Sequence, residues 1–185
     1  MEKYPDIQVE LHLTDQSPNI IEEDYDAAIH VGPVNNLSVR AYRIFESTFH
    51  LVASPDYLKQ RGTPKSISDL SHHDCVIFGK GCTNATWNLA ASGPLKPMPI
   101  TGRLAVNHLV AVHDAVAAGF GIGLLPLVSI RESIQEGRML EVLPKIKKDL
   151  IDVSITWVGG KYQVPSVQAF VDYIKDEFSR IAKQE

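Results

Sequence analysis

The sequence predicts an α/β fold in two lobes, and three features carry that prediction. The first is Thr101–Pro126, TGRLAVNHLVAVHDAVAAGFGIGLLP, which reads as strand, helix and strand in succession and is apolar on nearly every side. Such a unit belongs inside a layered structure whose sheet is covered on both faces. The second is the placing of strand-like runs before Pro55, between Pro55 and Pro144, and again near Val153. A chain with that order makes one lobe, leaves it, and comes back. The third is the last helix, where Val167, Phe170, Val171, Ile174, Phe178 and Ile181 recur at helical spacing opposite Asp172, Lys175, Asp176 and Arg180.

Taken in order, Ile7, Val9, Leu11 and Leu13 alternate with polar residues and predict a half-buried strand. Asn19–Tyr25 has room for about two helical turns, and Asp26–Val31 reads as a buried strand closed by Gly32 and Pro33. Ala41–Phe45 and Thr48–Ala53 read as two strands separated by Glu46 and Ser47. Pro55 opens a helix to Arg61, at a first position where its missing N–H costs nothing. A short helix near Ser68–Asp69 and a strand Cys75–Phe78 follow, then edge strands Thr86–Ala91 and Lys96–Ile100.

Within the organising unit, Leu104–Val106 is a strand and Asn107 the expected N-cap of a helix from His108 to Ala118. Gly119 stops that helix, and Gly121–Leu125 is a second buried strand closed by Pro126. A helix from Leu127 to Glu136 ends at Gly137, Met139–Leu143 is a strand, and Pro144–Leu150 a charged loop. Val153–Val158 is a strand and Gly159–Pro165 a turn-rich link. His50–Ala53 and Ser154–Val158 are the expected crossovers, giving lobes of 1–54 with 155–185 and of 55–154.

Composition narrows the function. A net charge of −4 and a pI near 6.0 argue against this chain gripping nucleic acid by itself, because that takes a basic face. No apolar segment approaches the roughly 20 residues that span a bilayer, and MEKYPDIQ has no signal-peptide pattern. Cys75 and Cys82 are read as reduced thiols, and the protein as cytoplasmic.

Gly119, Gly121 and Gly123 follow a helix and lead into a strand, the reverse of a dinucleotide fingerprint, so they read as cap and close backbone packing. His72–His73–Asp74–Cys75 is the densest reactive cluster, yet it lacks paired ligand spacing, and no metal or other cofactor is expected. His113–Asp114 reads as a solvated patch or a dimer contact. No G-x-S-x-G elbow exists and neither cysteine sits in a glycine-framed nucleophile context, so no catalytic residue is assigned and no enzyme is expected.

The stretches YPDIQVELHLTD, DYDAAIHVG, FHLVASPDYLKQRGTPKSISDLSHHDC, GRLAVNHLVAVHDAVAAGFGIGLLP, EGRMLEVLP and VPSVQAFVDYI follow one another along the chain. Together, in that order, they resemble the effector-binding domain of LysR-type transcriptional regulators. The resemblance implies two Rossmann-like lobes joined by two crossover strands, like the type 2 periplasmic binding proteins, with a small-molecule effector between them. Carried over by position, the effector pocket draws Thr14, Asp15, His30, Val31 and Gly32 from the first lobe and Phe78, Asn107 and His108 from the second. Neutral His and Asn both donate and accept hydrogen bonds, which suits a polar or weakly anionic metabolite. The resemblance also implies a homodimer or tetramer that reaches DNA only through a helix-turn-helix absent from this sequence. The family's first strand and most of its first helix precede the YPDI match, so the first lobe is expected to be incomplete. A free-standing solute-binding protein, or an enzyme such as a dehydratase or deaminase on the same fold, are the alternatives.

Overall fold

The computed structural model describes residues 3–15, 18–34 and 36–181. It divides into two compact units, Met1–Glu46 with Asp152–Glu185, and Ser47–Ile151. The changeovers fall inside strands: one between Glu46 and Ser47, the other between Ile151 and Asp152.

The first unit holds β1 (Ala27–Val31), the opening half of β2 (Val39–Ala53), most of the late strand β10 (Leu150–Val158), and the last helix, α4 (Pro165–Ile181). The sheet places β10 between β1 and β2. β1 runs antiparallel to β10, with Ala27 opposite Trp157 and His30 opposite Ser154. Alternation along a strand sends successive side chains to opposite faces. Val153, Ile155 and Trp157 accordingly join Ile44, Val167 and Val171 in an apolar core under α4, while Ser154 and Thr156 face the other way.

Two expectations fail here. Ile7–Leu13 forms no strand: Val9, Leu11 and Leu13 are 49%, 73% and 86% exposed. Alternation makes a segment able to pair, but the ladder must come from elsewhere, and among the described residues β1 pairs with β10 alone. Asn19–Tyr25 is a turn and not a helix, closed by the Glu23 N–H donating to Asn19 O at 2.9 Å. β1 itself is only half-buried, since Ile29 and Val31 are exposed.

The second unit is a doubly covered sheet. The rest of β2 pairs antiparallel with β7 (Ile122–Pro126), which lies parallel to β3 (Cys75–Phe78), which lies parallel to β6 (Leu104–Val106). Here too a correction is due: β2 is one continuous strand of 15 residues, and Glu46–Ser47 does not break it. Ser47 is buried inside the strand, so its polarity is no signal of a turn.

Side chains on one face, Val52, Val76 and Leu125, pack with Val112 and Val116 of α2 (Leu109–Ala117) and Ile130 of α3 (Leu127–Gln135). On the other face Leu51, Cys75, Ile77 and Ile122 meet Tyr57 of α1 (Pro55–Arg61), Leu70, and Trp87 and Leu89. Each such fully buried Leu, Ile or Val contributes about 1.5–3 kcal/mol. Trp87 and Leu89 belong to a small second sheet in which β4 (Ala85–Ala90) lies between β5 (Lys96–Ile100) and β9 (Lys147–Lys148). The expected charged loop therefore contains a strand, and the expected strand Met139–Leu143 shrinks to β8 (Leu140–Glu141) on the flank of β2.

Local signals explain the ends of the elements. Ser54 caps α1, its Oγ accepting from the Tyr57 N–H at 3.2 Å, with Pro55 at the first helical position and Gly62 at φ +81° beyond the end. A 3-10 turn at Ile67–His72 is opened by Ser66 and Asp69 in a capping box.

Candidate functional site in the second unit

The three parallel strands β7, β3 and β6 end on one edge of their sheet, and that edge is where open α/β sheets bind ligands. Phe78 ends β3 opposite Val106 of β6, and the Gly79 N–H donates to Val106 O at 2.9 Å. The chain then turns through Asn107 and His108, both exposed, into α2. The fold therefore brings Phe78, Asn107 and His108 to the same edge, with Phe78 half exposed. The expected cap is corrected: His108, with φ −135° and ψ 119°, is the N-cap, and its side chain makes no cap hydrogen bond. One residue of slippage places Asn107 in the bend before the helix.

β7 delivers α3 to that edge as well, through Pro126. The first turns of α2 and α3 contain no acidic residue to offset the positive ends of these helices. In the first turn of α3 the Ser129 Oγ donates back to Pro126 O at 2.8 Å.

The charged groups that stand out in the sequence lie at the opposite, amino-terminal edge. Arg61 donates to Asp74 Oδ2 at 2.8 Å, and Arg103 stands 3.7 Å from the same oxygen. The Asp74 N–H donates to the Tyr57 hydroxyl at 2.9 Å, and that hydroxyl lies 3.0 Å from His73 Nδ1. Burial holds the His73 imidazole below its ordinary pKa. Burial, then the charge of Asp74, pushes the Cys75 thiol up to about 12. This cluster ties α1 to the start of β3, which is a structural use of reactive-looking side chains. No group of three metal-ligating side chains occurs among the described residues.

Two concavities lie within single units. One, of about 280 Å³, runs along α2 and α3 past His113, Asp114, Ser129, Glu132, Ser133 and Arg138. His113 is no solvated patch: its Nε2 lies 2.8 Å from the buried Ser133 Oγ and its Nδ1 2.9 Å from Asp114 Oδ1. The sequence could not show this contact between α2 and α3.

The other, of about 250 Å³ in the first unit, is lined by Asn19, His30, Pro33, Asn36 and Thr156 among others. Of the expected site residues only His30 lines either concavity. Its Nε2 donates to Pro33 O at 3.1 Å, which leaves Nδ1 as an acceptor in the neutral ring. Val31 is exposed, and Gly32, at φ +98°, extends the ladder by donating to Asp152 O at 2.8 Å. Thr14 and Asp15 are exposed residues outside any regular element.

A sheet covered on both faces, with two helix starts and polar side chains at its carboxyl edge, is the architecture of the α/β proteins that take small molecules at such edges. Comparison with known proteins narrows that class. The family model of the LysR substrate binding domain matches residues 1–179, and the chain belongs to that family. It is 29% identical over 177 residues to the probable HTH-type transcriptional regulator LtrA of Klebsiella pneumoniae, covering 94% of this chain and 57% of that protein.

Among solved structures, the regulatory domain of CrgA from Neisseria meningitidis superposes with a TM-score of 0.86 at 26% identity, covering 96% of this chain and 87% of that one. The full-length Vibrio cholerae virulence activator AphB gives 0.82 at 30% identity, over 96% of this chain and 60% of that one. The chain thus has the type 2 periplasmic-binding-protein-like fold of LysR regulatory domains, and it spans little more than half the length of the curated relatives it matches. Among the described residues no helix is long and apolar enough to cross a membrane.

Proposed function

We propose that this chain is the effector-sensing and oligomerising part of a cytoplasmic LysR-type transcriptional regulator, and that its effector is a small carboxylate or similarly polar metabolite. The carboxyl edge of the second unit supports this reading best. Phe78 offers an apolar surface there, Asn107 and His108 offer hydrogen bonds, and the starts of α2 and α3 favour negative charge. Thr14, Asp15, His30, Val31 and Gly32 are the contribution assigned to the first unit, with the His30 Nδ1 acceptor its most defined polar group. The effector acts by binding one conformation of the domain better than another, so that its differential affinity sets the shift. DNA is read by a helix-turn-helix part of the longer protein, which suits a sensing domain of net charge −4. The functional assembly is a homodimer or tetramer.

A thermal-shift screen of small organic carboxylates on the 185-residue chain tests this. A true effector at a hundred times its Kd stabilises by about 2.7 kcal/mol, which raises the melting temperature by roughly 5–10 °C. His108→Ala is expected to abolish the shift, measured against the variant's own unliganded melting temperature. If no carboxylate stabilises the chain, or His108→Ala keeps the full shift, the assignment of this edge is wrong.

A further inference from the structure

A second cluster lies on the first unit and uses none of the residues assigned to the effector. Tyr42 of β2 and Trp157 of β10 share the sheet face under α4, and Tyr162, from the 3-10 turn Lys161–Gln163, closes a third side. The Trp157 and Tyr162 rings are 5.4 Å apart and tilted by 33°. The Lys175 ammonium of α4 sits inside this cage, 4.7 Å from the Trp157 centroid, 5.1 Å from Tyr42 and 5.5 Å from Tyr162. Asp172, one turn earlier, stands 3.6 Å from the ammonium and accepts the Tyr162 hydroxyl at 3.0 Å. Three ring faces and a carboxylate around one positive charge are the chemistry that recognises organic cations.

We propose that Tyr42, Trp157 and Tyr162 form a binding site for small quaternary ammonium compounds, closed in this structure by Lys175 of the same chain. A primary ammonium is compact and strongly hydrated, so it gives up more water on entering a cage of rings than a quaternary ammonium does. Lys175 holds its place because it is tethered: a short tether supplies an effective concentration in the millimolar range, against which a free cation must compete. Entry of a free cation releases Lys175 from the rings of β2 and β10, so this site couples ligand binding to the attachment of α4.

The test uses choline and its uncharged carbon isostere 3,3-dimethylbutan-1-ol, titrated calorimetrically into the 185-residue chain at constant ionic strength. Lys175→Ala is expected to bind choline at least about tenfold more tightly than the parent chain, because the tethered competitor is gone. The isostere should not bind, and Tyr42→Ser in the Lys175→Ala background should cost about fivefold or more of the choline affinity. Tyr42 is 45% exposed, so its truncation leaves the core intact. If Lys175→Ala does not fold by circular dichroism, Lys175→Gln, which keeps the stem and loses the charge, takes its place in the same comparison. A folded variant that binds choline no better than the parent overturns the proposal. Equal binding of choline and the isostere overturns it too, since that is an apolar cavity and not a cation site.

Discussion

Gly121 and Gly123 flank the start of β7, and they fail for different reasons when given a side chain. At Gly121 a Cβ would lie against the backbone of Asp74, 2.8 Å from its carbonyl carbon, where the Ile122 N–H makes a 2.9 Å ladder bond to Asp74 O. The residue also sits at φ +155°, which an L side chain rarely adopts. Backbone strain of about 1–3 kcal/mol adds to an overpacking cost of about 1–3 kcal/mol, so Gly121→Ala should destabilise by roughly 4 kcal/mol. That lowers the melting temperature by roughly 8–16 °C for a chain of this size.

At Gly123 the Cβ meets a side chain instead, Val116 Cγ2 at 2.6 Å. Gly123→Ala should cost about 2 kcal/mol, and Val116→Ala beside it should recover part of that by removing the methyl in the way. No side-chain truncation can rescue Gly121→Ala. Urea and thermal unfolding followed by circular dichroism, on the four single and double variants, decide the matter. If Gly121→Ala costs less than Gly123→Ala, or if the Val116→Ala cycle shows no coupling, the claim that these glycines serve close packing collapses.

Two further outcomes follow from the polar groups of the second unit. In the native chain a thiol reagent at pH 7 should modify at most Cys82, because Cys75 is fully buried with its thiol held near 12; rapid labelling of Cys75 in the folded protein, read by peptide mass, contradicts this. Glu141 accepts from Lys148 at 2.7 Å and from His50 at 2.8 Å, and although burial pulls its pKa upward, these partners bring it below the ordinary glutamate value. A depressed carboxyl stabilises above the unfolded pKa of about 4.3 and loses that contribution as pH falls through the lower folded value. Glu141→Gln should therefore cost about 2 kcal/mol at neutral pH, discounted for partial exposure, and flatten the acid limb of the stability profile. An unchanged acid limb would refute the pairing.

Much of the second unit was legible because its signals are local. Pro55–Arg61 announces itself by Ser54, Pro55 and Gly62, and Cys75–Phe78, Lys96–Ile100 and Leu104–Val106 are short apolar or β-rich runs between turn residues. What escaped depends on distant partners. Ile7–Leu13 has the alternation of a strand and no ladder. Lys147–Lys148 looks like solvated charge and becomes a strand because Leu89 and Ala90 lie opposite.

The same divide runs through the candidate site. Phe78, Asn107 and His108 could be placed on one edge because strand ends and helix starts are read from neighbours in sequence. The contact of His113 with Ser133 needs α2 laid beside α3, and the ring cage around Lys175 gathers residues from four separate stretches.

The second unit is one unbroken stretch, Ser47–Ile151, whereas the first is assembled from pieces on either side of it. During synthesis on the ribosome the inserted stretch can therefore mature while its host waits. At 5–20 residues per second that wait is on the order of ten seconds, during which Ile44 and the rest of β2's opening half lack the strand and helix that later shelter them. A chain that ends at Ile151 and has been released from the ribosome should thus already protect Ser47–Ile151 from protease, leaving the leading segment open to cleavage and a natural client for chaperones.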